Sequence, residues 1–303
     1  MTQPRSIRSS CQPSSWCVAV AALWLGSSLL LAPVSAAVFT ANINPALYGN
    51  LDQDNVPFMG GCACGPTSVV NSFVYLQNEA PNVYGNGQGL VPYAGASPTQ
   101  VEQAAVATIL QGDNYMDSDG GTYIEDFIFG KVKYLEEKFA GKTRYAAQVS
   151  LDWREGPKPM NVTDWPTHAE DHPKPDWVQD ETAATLAFIY GQIDAREDVE
   201  IFIGGGVGDH YLTVTGISYD DATNLGTLNY IDPADGMAAM SDILGLDAGR
   251  IKFEYNGRMD ALIFHAVSES PIPEPAAIAL FVIGLVGLCA FRRQESFRVV
   301  SHK

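Results

Sequence analysis

The chain changes character near residue 199, and this change most limits what it can fold into. Beyond that point, five short runs rich in β-branched and aromatic residues follow one another: 199–203, 211–219, 226–231, 250–255 and 259–267. Turn signals separate them, including the stretch 220–225 and the pair Asn256-Gly257. Strands joined by such short connections run antiparallel. Before residue 199 the regular segments have helical spacing instead. One follows Pro66 and ends near Asn78, one starts at Pro98 and runs through Leu110, and two more cover 123–139 and 182–193. Helices first and antiparallel strands second predicts an α+β domain. Residues 37–61 read as irregular, and 153–178, rich in Pro, Trp, Asp and His, as a surface loop or insertion.

Both ends of the chain are addresses rather than fold. Arg5 and Arg8 precede an apolar stretch from Val18 to Leu31, with small residues at Val34 and Ala36. This predicts a secretory signal peptide over 1–36, the alternative being an uncleaved N-terminal membrane segment. At the other end Pro273-Glu274-Pro275 is followed by an apolar run over 276–291 and then by Arg292-Arg293. That run is somewhat shorter than the ~20 residues that span a bilayer comfortably, and the arginine pair would stay cytoplasmic. The tail over 271–303 resembles the PEP-CTERM sorting signal of Gram-negative bacteria. The resemblance implies export, a membrane helix over 276–291, anchoring in the inner membrane, and cleavage near Pro273-Glu274-Pro275 by an exosortase. A permanent anchor is the alternative. Either way residues 37–270, the expected domain, lie outside the cytoplasm, at the cell surface or in the extracellular matrix.

Charge and cysteine content narrow the function. The whole chain carries −17, but six of its 18 basic residues and one of its 35 acidic residues lie outside 37–275, so the exported part carries −22. A field of that sign repels nucleic acid and anionic lipid and keeps a secreted domain soluble. Of the five cysteines, Cys11 and Cys17 lie in the signal segment and Cys289 in the apolar tail, leaving Cys62 and Cys64. A bridge between residues two apart is strained and closes almost no loop. Exported proteins that use cysteine structurally carry well-spaced pairs. A redox Cys-x-Cys pair is the lesser alternative.

The run Gly60-Gly61-Cys62-Ala63-Cys64-Gly65-Pro66-Thr67-Ser68 sets a thiol just before a proline-started apolar segment. Proline suits the first helical position, because its missing N–H would be unpaired there in any case. Cys64 is therefore expected at a helix N-terminus, where the dipole favours a thiolate. A nucleophilic thiol needs a base, and His210 opens the run 211–217 after Gly204-Gly205-Gly206-Val207-Gly208-Asp209. If the next run returns antiparallel, its end at Asp232 faces the start at His210, and the carboxylate can orient the imidazole.

Cys-Gly-Pro-Thr-Ser at 64–68, Asp-His-Tyr-Leu-Thr-Val-Thr-Gly-Ile at 209–217 and Tyr-Ile-Asp-Pro-Ala-Asp-Gly at 230–236 together resemble the papain-like peptidases related to bacteriocin-processing, double-glycine-cleaving enzymes. The resemblance spans roughly 50–268. It implies a papain-like fold with an N-terminal helical part carrying Cys64 and a C-terminal antiparallel sheet carrying His210 and Asp232. It also implies Cys64 as nucleophile, His210 as base, Asp232 as its orienting acid, and Gln53 as oxyanion-hole donor. The expected function is a surface-anchored cysteine peptidase or related amide hydrolase acting through a thioester on a peptide or protein. The alternative is a silent module of that fold binding peptides or exopolysaccharide matrix. No cofactor is expected. His168-Ala169-Glu170-Asp171-His172 lacks the His-Glu-x-x-His order of a zinc protease, and Tyr115 replaces the first carboxylate an EF-hand loop needs before Asp117-Ser118-Asp119-Gly120, so no metal is expected. His265, inside a strand-like run, reads as a sheet residue.

Overall fold

A computed structural model describes residues 36–57, 62–85, 89–118, 120–150 and 174–272. Six strands form an antiparallel meander: β4 (Asp198–Gly205), β5 (His210–Asp220), β6 (Leu225–Asp232), β7 (Met237–Asp247), β8 (Arg250–Tyr255) and β9 (Arg258–Pro271). Each pairs with the next, and β4 also pairs with β9, so the six close into a barrel. Ile201 marks the closure, opposite Leu212 on one side and Ala266 on the other. Register shifts in β4–β9, β5–β6, β7–β8 and β8–β9 supply the local bends that a small closed sheet needs.

The two long strands reach past the barrel and recruit others. β1 (Val38–Asn42) pairs with the second half of β5, Val38 opposite Asp220 and Asn42 opposite Gly216. β2 (Thr143–Val149) lies antiparallel to the end of β9, and the two-residue β3 (Val178–Gln179) runs parallel to β2. Five helices lie around these strands: α1 (Cys64–Glu79), α2 (Pro81–Tyr84), α3 (Gln100–Leu110), α4 (Ile124–Phe139) and α5 (Leu186–Asp194). α1 packs on β5 and β4 with α3 beside it, and α5 packs on β1 and β5.

Burial follows from this arrangement. Seven consecutive residues of β5, Tyr211 to Ile217, are buried, because the barrel interior covers one face and helices the other. β8 has an outer face in solvent and alternates buried with half-buried residues. α1 is buried from Gly65 to Gln77, as expected of a helix enclosed by sheet and other helices. Thr213 Oγ1 donates to the Ser68 carbonyl at 2.9 Å and ties α1 to β5. α3 begins with a capping box: the Thr99 hydroxyl accepts from the Glu102 N–H, and the Glu102 carboxylate accepts from the Thr99 N–H.

Several expectations need correction. The papain-like α+β fold, with its helical part and sheet part facing each other, is replaced by a closed six-stranded barrel flanked by extra strands and scattered helices. Hydrophobic patterning shows where strands are but not that β4 has two partners. Residues 37–61 are not wholly irregular, since they supply β1 and two short 3-10 turns at Pro45–Leu47 and Gln53–Asn55. β7 escaped because Met237 to Met240 are exposed on it and no alternation marks the strand. Pro66 is the third helical residue rather than the first, and Pro98 stands outside α3, where Thr99 is the cap. Most of the expected loop 153–178, including His168 and His172, lies outside the described residues.

The buried Phe127 ring stacks on Tyr211 at 4.4 Å, linking α4 to the barrel. Phe127→Ala is expected to cost about 3–5 kcal/mol by leaving a cavity there. Urea unfolding of the mature protein measures this, and a loss below 1 kcal/mol would show that the contact is not part of the core.

Candidate functional site

Asp232 ends β6 and His210 begins β5, so the β5–β6 pairing puts them at one end of the barrel. His210 Nε2 and Asp232 Oδ1 are 2.8 Å apart. The carboxylate also accepts the Ala234 N–H on Oδ1 at 2.9 Å and the Tyr255 hydroxyl on Oδ2 at 2.7 Å. Burial alone would raise the Asp232 carboxyl, but the His210 ring and these donors outweigh it and hold it below the usual carboxylate range. Burial pulls the His210 ring down, and the hydrogen bond to Asp232 and the neighbouring Cys64 sulfur outweigh it, raising the ring to about 9. At neutral pH His210 is thus an imidazolium on a carboxylate.

Cys64 is the first residue of α1, half-buried and free, with Cys62 also free. Gln53 opens the 3-10 turn 53–55, and its backbone N–H donates to the Pro233 carbonyl at 2.7 Å, next to Asp232. The segment before it is held to α1 through Asn71, whose Oδ1 accepts the Leu51 N–H at 2.8 Å. A side chain on Gly236, which has a φ of 68°, would meet the Asn50 carbonyl oxygen at 2.2 Å, so glycine lets the 232–236 turn lie against this segment. Gly60 and Gly61 lie outside the described residues. Sequence reasoning missed Tyr255, which no spacing rule connects to Asp232.

The cysteine-hydrolase expectation does not stand. The Cys64 sulfur acts on the His210 ring, in part as a hydrogen-bond partner, but the closed barrel around them is not the papain cleft that the expected chemistry requires. Gln53 Oε1 is buried without a hydrogen-bond partner, and the expected donor role would fall to its Nε2 amide. Among the described residues a fully buried cluster of charged side chains lies elsewhere and contains no thiol. The silent papain-like alternative falls with the fold that implied it.

That cluster joins Lys131 of α4, Asp198 and Glu200 of β4, and Glu269 of β9. All four side chains are fully buried. Lys131 Nζ is 3.5 Å from Asp198 Oδ2 and in closer contact with Glu200 Oε2 and Glu269 Oε2. Asp198 Oδ1 accepts the Glu269 N–H at 3.0 Å. The three carboxylates bring oxygens within 4.8 Å of one another, and the Lys131 ammonium stands as the cation among them. A signal for it was present: Lys131 continues the buried stripe Ile124, Phe127, Ile128 and Leu135 of α4, where a lysine is out of place without partners.

Residues 271–293 match the model of the PEP-CTERM protein-sorting motif. No curated protein matches the chain. The match therefore supports export, an exosortase-processed tail and association with the surface or exterior of the cell, whereas membership of the double-glycine peptidases has no support. Among the described residues no helix is long and apolar enough to cross a membrane, and the expected membrane helix over 276–291 lies outside them.

Replacing Asp232 by Asn removes the charge that holds the His210 proton. The imidazole is then expected to titrate well below about 9, read by NMR of the ring nitrogens, and an unchanged titration would show that Asp232 does not set it. A raised imidazole stabilises the fold fully below its ordinary pKa near 6.5 and loses that contribution as pH rises through about 9. The wild type is accordingly expected to lose about 2–3 kcal/mol across that window relative to Asp232→Asn.

Proposed function

We propose that the chain is an exported barrel protein, delivered to the cell surface or exterior by its C-terminal sorting signal, whose functional group is the Cys64 thiol. The match over 271–293 carries the first half of this reading. The apolar segment after Pro273-Glu274-Pro275 would hold the chain at the inner membrane until an exosortase cuts near that motif. The barrel would then be released with its acidic surface, which favours solubility outside the cell.

The second half is supported by the placement of a free, half-buried thiol at the start of α1 beside the His210–Asp232 ion pair. The reactivity of a cysteine depends on its charged neighbours and on its exposure. Cys64 is then the thiol that meets electrophiles or other thiols at the surface, His210 and Asp232 set its environment, and Gln53 lines the approach through the turn at Pro233.

Two measurements test the two halves. Removing residues 271–293 is expected to abolish tail processing, seen as loss of the mass difference between membrane-held and released protein. Equal processing of the shortened chain would overturn the sorting role. Iodoacetamide is expected to label Cys64 at least tenfold faster than Cys62, and His210→Ala to remove that advantage. Equal rates at the two cysteines would end the proposal for the thiol.

A further inference from the structure

The Lys131 cluster sets three carboxylates against one ammonium in a site closed to solvent. If all were ionised, a net charge of −2 would sit in the interior, a cost that close pairing with a single cation does not offset. The remaining oxygens sharpen the problem: Glu200 Oε1 and Glu269 Oε1 are buried with no hydrogen-bond partner. Among the described residues the surrounding elements bring no second positive charge. α1 presents the Tyr75 phenol and Ser72, whose hydroxyl acts on Glu200 as a side-chain hydrogen-bond partner and pulls it down; Tyr48 after the first 3-10 turn, Tyr84 of α2 and Tyr145 of β2 also feel the cluster's acids. Arg196 and Arg144, on the flank, are engaged with Glu79 and Glu197.

We propose that this cluster is a proton-binding site, in which protons held on Glu200 and Glu269 offset the negative charge that Lys131 alone leaves unmatched, so that rising pH loosens the seam of β4, β9 and α4. Burial is the largest influence on both glutamates and raises them, Glu200 to about 7 and Glu269 well above its ordinary value, although Lys131 pulls the other way. An acid with a raised pKa in the folded state stabilises the fold fully below its unfolded pKa near 4.5 and loses that contribution as pH rises through the folded value. The seam is the closure of the barrel, so the switch acts on the whole domain.

The test is urea unfolding of the mature protein between pH 5 and 9, comparing wild type with Glu200→Gln, Glu269→Gln and the double variant. Glutamine imitates the neutral acid. At pH 5 the variants should match wild type closely. As pH rises, the wild-type folding constant should fall by up to about tenfold per pH unit for each proton released, and the double variant should lack that fall. The comparison also cancels the contribution of His210, which is common to both proteins. Parallel pH slopes, or a double variant weaker than wild type at every pH, would overturn the proposal. Stabilisation of wild type but not the double variant by added Ca²⁺ or Mn²⁺ would overturn it too, because a cation would then be the missing charge. Should a variant fail to fold, carboxyl carbon shifts of wild-type glutamates by NMR decide the matter: two acids still protonated above pH 6 support the site, and none there refutes it.

Discussion

Pairing of β4 with two strands at once is the constraint on which the rest of the architecture depends. Its backbone groups are satisfied by β5 on one edge and β9 on the other, which removes the open edges that a meander would otherwise present. Closure fixes the inner face of every strand and leaves the outer faces of β4 and β5 to be covered by α1 and α5. It also forces Asp198 and Glu269 into register and sets Glu200 opposite Val267, collecting acids from two strands at one place. A single lysine from α4 then has to serve all of them. The same contact that completes the barrel thus creates its most demanding electrostatic site.

The two polar sites differ in kind. At the His210 end, the charges alternate, imidazolium on carboxylate, and Asp232 has further donors in Ala234 and Tyr255. Such a group is satisfied and sits at the rim of the barrel, where a thiol at the start of α1 can influence it. At the Lys131 end the acids outnumber the base and two oxygens lack partners. The first arrangement suits a fixed chemical environment and the second a change of protonation. A low dielectric surroundings strengthens both effects, rewarding a matched pair and penalising an unmatched one.

Export frames these features. Stacked buried aromatic pairs, such as Tyr48 on Tyr75 at 4.4 Å and Phe127 on Tyr211 at 4.4 Å, add stability to a domain whose two described cysteines are both free. The sorting signal at 271–293 lies directly after β9, so the last barrel strand leads straight into the segment that directs delivery. The family resemblance drawn from three short motifs did not survive, because Cys-Gly-Pro at a helix start, a histidine opening a strand and an Asp-Pro turn are each local solutions that the barrel uses for its own geometry. Cys64 begins α1, His210 begins β5 and Asp232 ends β6 whether or not a hydrolase results.

Local interactions were legible in the chain itself. Alternation and turn chemistry located β4, β5, β6, β8 and β9 within a few residues, and helical spacing located α1, α3, α4 and α5, since each depends on neighbours in sequence. The Pro-Glu-Pro tail was equally legible, because a sorting signal is read as a linear segment. What needed the tertiary structure was every relation between distant segments. These are the closure of β4 on β9, the addition of β1 and β2 to the ends of the long strands, the Tyr255 hydroxyl on Asp232, and the meeting of Lys131 with three acids up to 138 residues away. Burial and pairing over such separations are decided by the free energy of the whole packed domain, which no window of the sequence contains.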